Sequence, residues 1–146
     1  MSPKTAITHL ARLGFGGVFI WSGMAKLKDP ISFTDAVRNF ELVGDPFAAF
    51  FALLIPWVEM VAGIVCMAGI FWRGGVATLL GSLVVFTGAL CIGWARGLDI
   101  SCGCFGGTGE VNYPLVVGRN IGLMVLGFLL LKWIQRPNLL KNVVSD

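Results

Sequence analysis

Charge is scarce in this chain. Asp, Glu, Lys and Arg make up 13% of its 146 residues, about half the share of an ordinary soluble domain. A single histidine, His9, and no C-x-x-C-H motif leave haem with little to hold it. No glycine-rich phosphate fingerprint follows a strand pattern, which argues against a nicotinamide cofactor. Nothing in the chain points to a nucleic-acid partner. Linkers, low-complexity tracts and internal repeats are missing too, so a single domain over residues 1–146 is expected.

What fills the chain instead is apolar. Hydrophobic residues are 56% of the total and the mean hydropathy is +0.83. Four stretches, 7–27, 47–72, 74–95 and 114–131, each approach the roughly 20 residues that a helix needs to cross the hydrocarbon core. The expected fold is therefore an all-α membrane protein, a four-transmembrane-helix bundle. The first stretch also has the charge-then-apolar pattern of a secretory signal. Cleavage after Ala25 would lack an A-x-A pattern and would leave three spans, so the membrane reading survives either way.

Between the first two spans, Asp29 suits a helix N-cap and Pro30 the first helical position. Phe33, Val37, Phe40 and Val43 then recur at helical spacing, which predicts a short amphipathic helix at the membrane interface. Four spans put both termini on one side. Lys4, Arg12, Arg73, Lys132, Arg136 and Lys141 lie toward that side, and Lys26, Lys28, Arg38, Arg96 and Arg119 toward the other. This narrow excess, with the basic C-terminal segment, places the termini in the cytoplasm and the loop after the third span outside.

Polar residues at membrane depth must find partners or a wet cavity. Glu59 falls midway along the second span, three residues after Pro56. Lys26 ends the first span and Arg119 and Asn120 enter the fourth, so a Glu59–Lys26 or Glu59–Arg119 pair is expected. Such a pair either fixes helix register or forms a proton-accepting, quinone or headgroup site. The glycines of the spans permit close helix approach, and Gly118 and Gly122 could serve the bundle or a homodimer.

Two of the four cysteines, Cys102 and Cys104, stand in the polar stretch GLDISCGCFGGTGE. Cys91 lies about 7 Å from the outer end of the third span at the helical rise of about 1.5 Å per residue, and Cys66 is toward the opposite face. A zinc site would want more ligands than this spacing offers. Copper(I) would accept thiolate and thioether, with Met24 and Met60 the nearest candidates. Thiol chemistry fits better, because Gly103 gives the backbone freedom to close a C-x-C ring whose strain suits exchange. An inert outer-loop disulfide, within the pair or with Cys91, is the plain alternative. By elimination a lipid-soluble quinone or a protein partner would take the electrons.

GFGGVFIWSGMAKLKDPISFTDAV and IPWVEMVAGIVCMAGI resemble the DoxX-like four-helix membrane proteins, and ISCGCFG makes the chain similar to the MauE branch of that group. The resemblance implies a multi-pass protein of the bacterial inner (plasma) membrane, working beside a periplasmic thioredoxin-like partner in disulfide handling. Cys102 and Cys104 match the family's cysteine motif, and Glu59 and Lys26 its in-membrane polar positions. It equally allows an accessory or assembly subunit of a larger membrane redox complex.

Overall fold

A computed structural model describes residues 3–98 and 112–133. They form five helices: α1 (Pro3–Lys28), α2 (Pro30–Asn39), α3 (Phe47–Ala68), α4 (Trp72–Ala95) and α5 (Tyr113–Trp133). Three of these, α3, α4 and α5, are long and apolar enough to cross a membrane. The 26-residue α1 has the length, but it carries Lys4, Arg12, Lys26 and Lys28 and is not among the three.

The four long helices alternate in direction. Gly16 faces Gly63 and Gly23 faces Pro56 and Met60, so α1 and α3 run antiparallel. Gly75 lies against Ala62 and Cys66, and Gly127 against Leu80. One end of the bundle therefore gathers the start of α1, the α3–α4 turn and the end of α5. The other end gathers α2, the start of α3, the end of α4 and the start of α5.

Packing depends on a few glycines. A Cβ at Gly16 would stand 2.7 Å from the Gly63 carbonyl oxygen, one at Gly63 would stand 2.9 Å from the Gly16 carbonyl oxygen, and one at Gly75 would stand 2.8 Å from the Ala62 carbonyl oxygen. Backbone that close leaves no room for a side chain, which is how small residues bind helices in lipid. The glycines do not all act this way: beside Gly118 and Gly122 nothing lies within 4 Å, so that pair is not used inside the bundle. Phe15, Phe19, Cys66, Val76, Leu79, Leu83 and Leu130 fill the core between the helices.

The α3–α4 turn shows how a charge is accommodated. Gly69 ends α3 in the left-handed conformation, φ 83°, which a glycine adopts without strain. Arg12 reaches across from α1 and donates from Nε to the Cys66 carbonyl at 3.1 Å and from Nη2 to the Met67 carbonyl at 3.3 Å. Its guanidinium also lies over the Trp72 ring, 5.6 Å from the centroid. A cation on the last carbonyls of a helix meets both their orphan lone pairs and the negative end of the dipole. The α3 helix closes here, four residues short of the expected span end at Trp72.

The short helix α2 forms where the capping signature predicts. The Asp29 carboxylate accepts from the Ser32 amide at 3.1 Å and from the Ser32 hydroxyl at 2.6 Å, with Pro30 in the first turn. Phe33, Ala36 and Phe40 are buried; Val43 is not part of the stripe, because the helix stops at Asn39. Phe40 meets the Phe86 ring edge-on, which fastens α2 against α4.

Two outcomes follow. Gly63→Leu forces α1 and α3 apart and should lower the thermal midpoint of the detergent-solubilised protein sharply, whereas Gly118→Leu should leave it nearly unchanged. The Ser32 hydroxyl, and secondarily its amide, hold the Asp29 carboxyl below its ordinary value. A depressed pKa means that the cap stabilises α2 above the unfolded value and is lost as pH falls through the folded one. Exchange of the Ser32 amide should therefore accelerate in acid, and Asp29→Asn, which caps without ionising, should remove that dependence.

Candidate buried ion-pair site

Lys26 closes the last turn of α1 with its side chain directed into the bundle. Its Nζ lies 2.6 Å and 2.8 Å from the two carboxylate oxygens of Glu59 on α3, and both side chains are almost completely buried, at 3% and 6% exposed. Ser22, one turn before Lys26, donates its hydroxyl to Glu59 Oε2 at 3.3 Å. The ammonium also lies 5.4 Å from the Phe33 ring centroid and 5.2 Å from that of Phe86. Rings at this distance attract a cation through their quadrupole. One side chain thus ties α1 to α2, α3 and α4.

Of the two pairings open in the sequence, the structure adopts Glu59–Lys26. Arg119 lies close by and lines the same cavity. That cavity has a volume of about 30 Å³ and is bounded by Ser22, Lys26, Glu59, Ser82, Arg119 and Asn120 together with apolar residues of α1, α4 and α5. The space suits about one or two waters, and the polar lining offers partners for them. Asn120 is buried and donates from Nδ2 to Thr87 Oγ1 at 3.2 Å, while Arg119 Nη2 donates to Asn120 Oδ1 at 3.3 Å. All three residues singled out in the sequence for this site, Lys26, Glu59 and Arg119, are brought together.

Sequence reasoning missed Ser22, Ser82 and Thr87, whose hydroxyls carry no signal of their own at membrane depth. Ser22 stands at i−4 from Lys26, and that spacing could have found it. It also missed the cap made by Arg12, which composition marks only as a charge.

Cys102 and Cys104 lie outside the described residues, as does Asp99. The residues on either side of that segment are described. Tyr113 donates its hydroxyl to the Leu98 carbonyl, and its ring stacks on Trp94 with centroids 6.2 Å apart and an interplanar angle of 6°. The chain therefore leaves α4 and re-enters α5 at one fastened point. Cys91 is exposed and Cys66 is buried among core residues; neither forms a disulfide. Among the described residues no group of three or more His, Cys, Asp or Glu could hold a metal.

Removing one member of the pair should strand a buried charge, a loss of about 3–5 kcal/mol. Lys26→Met and Glu59→Met should each lower the unfolding midpoint in detergent, and the double variant should recover most of it. An additive loss in the double variant would show that the two do not act as a pair.

The profile of the family described as methylamine utilisation protein MauE matches residues 4–133. The methylamine utilization protein MauE of Methylorubrum extorquens (strain AM1) is 37% identical over 109 residues, which cover 73% of this chain and 59% of that protein. The chain thus spans less than two thirds of its curated relative's length. No solved structure matches. Three apolar helices fit a multi-pass membrane protein, and with a profile match from residue 4 to residue 133 the chain belongs to the MauE family.

Proposed function

We propose that this chain is a thiol–disulfide redox protein of the bacterial inner membrane, with α1 as a fourth span, α2 on the outer surface and both termini cytoplasmic. The charges of α1 do not oppose a crossing, because Arg12 and Lys26 are both satisfied inside the bundle, as intramembrane ions must be. The reactive pair is Cys102 and Cys104. What carries this reading is their C-G-C arrangement between two residues, Leu98 and Tyr113, that are fastened to each other. The cysteines follow Leu98 by four and six residues, so the covalent chain keeps them within roughly 20 Å of that anchor.

A thiolate of a periplasmic thioredoxin-like partner attacks one sulfur of the Cys102–Cys104 disulfide and forms a mixed disulfide. The partner's second thiol then resolves it, so the partner leaves oxidised and Cys102 and Cys104 remain as the dithiol. Their two electrons and two protons pass to a quinone, which becomes the quinol, and the disulfide returns. Lys26, Glu59 and Arg119 supply the polar end for the acceptor. A cavity of about 30 Å³ is too small for a ring, so a quinone carbonyl or a lipid headgroup meets it from the lipid side at Arg119. The relative's name ties that protein to methylamine utilisation; we place this chain in a comparable system, serving its disulfide chemistry.

Trapping tests the reading. Cys102→Ser or Cys104→Ser should capture a mixed-disulfide partner that reductant releases, and thiol alkylation should find the wild-type pair partly reduced in cells. If neither variant captures a partner, reductant does not open the pair, and the double serine variant retains full function in a stable complex, the protein is an accessory or assembly subunit instead.

A further inference from the structure

A second cavity, lined by different residues from the ion-pair site, lies on the outside of the bundle between α3 and α4. It is a groove of about 440 Å³, within the roughly 300–1,000 Å³ of small-molecule sites. Trp57, Val61 and Val65 form one wall, and Phe71, Gly74 and Thr78 the other. The only hydroxyl among these six is already engaged: Thr78 donates to the Gly74 carbonyl at 2.9 Å. The lining is otherwise almost wholly apolar, which suits an apolar chain better than water.

The wall of the groove on α3 runs from Trp57 to Val65, roughly 12 Å at the helical rise. That is most of the depth of one leaflet, about 15 Å in a hydrocarbon core of ~30 Å. At the closed end it reaches Phe71, which is 85% exposed, and the first turn of α4, which no side chain caps. Arg73 stands in that turn between two lining residues, Phe71 and Gly74, and is exposed.

Charge says what kind of molecule fits. Among the described residues, this end of the bundle carries Lys4, Arg12, Arg73 and Lys132 and no acid. Asp29, Asp35, Glu41 and Asp45 all lie around α2 at the opposite end, and Glu59 lies within the bundle. A one-sign end beside an apolar groove of nearly leaflet depth complements an amphiphile with a negative head. The uncapped amides of α4 add to the same attraction.

We propose that the α3–α4 groove binds an anionic phospholipid, with an acyl chain between Trp57 and Gly74 and the phosphate on Arg73. This rests on the membrane placement of α3 and α4 and is independent of the thiol chemistry. Gly74 supplies the decisive variant, because nothing lies within 4 Å of a Cβ there. A leucine at Gly74 fills the groove without parting the helices, whereas one at Gly75 would strike the Ala62 carbonyl, 2.8 Å from its Cβ.

The full chain is first recovered from carbonate-washed membranes; its release by carbonate would overturn the membrane placement and the lipid site together. The purified protein is then relipidated with phosphatidylglycerol or phosphatidylcholine, and retained lipid is counted by native mass spectrometry. Wild type should retain phosphatidylglycerol over phosphatidylcholine. Arg73→Gln should weaken retention about fivefold, the effect of one basic residue near an anionic surface, and Gly74→Leu should abolish it. Gly118→Leu, whose site is equally open but on α5, should retain lipid as wild type does. Equal retention of both lipids, or wild-type retention by Arg73→Gln, overturns the proposal. Arg73 is exposed, so its substitution decides the matter even if Gly74→Leu fails to fold.

Discussion

The structure is organised around the contact between Lys26 and Glu59. Neither charge can remain in an apolar bundle alone, since an unpaired buried ion costs several kcal/mol. Their pairing at 2.6 Å fixes the end of α1 against the middle of α3. The Phe33 and Phe86 rings beside the ammonium extend that constraint to α2 and α4. Helix register, the seat of α2 and the polar cavity all follow from where this one pair must sit.

Arg12 answers the same problem differently at the other end. It has no carboxylate partner in the contacts described; it meets the carbonyl oxygens that α3 leaves unpaired as it ends at Gly69. The two solutions, a salt bridge within the bundle and a cation on a helix terminus, let α1 carry charge and still pack against α3 along Gly16, Gly23 and Gly63. Two of the charges of α1, Arg12 and Lys26, are thus internal, while Lys28 at its end is exposed.

The two ends of the molecule differ in kind. One gathers α2, the acids and the fastened stems at Leu98 and Tyr113, beside the segment that holds Cys102 and Cys104. The other is basic and borders an apolar groove.

Helix positions were largely legible in the sequence because apolar runs and the Asp29–Pro30 start are local signals; the stop at Gly69 was not read, because the apolar run continues past it to Trp72. The charged members of the site were legible as well, since Glu59, Lys26 and Arg119 are conspicuous in apolar surroundings, whereas the hydroxyls of Ser22, Ser82 and Thr87 were not. Composition and chain order alone determined an all-helical protein with long apolar helices and its ions at known positions along them. Only the tertiary structure decided that Lys26 takes Glu59, that Arg12 caps α3, and that Gly63 packs while Gly118 and Gly122 do not. Each of these choices depends on which helix faces which, and that is set by side chains brought together from distant parts of the chain.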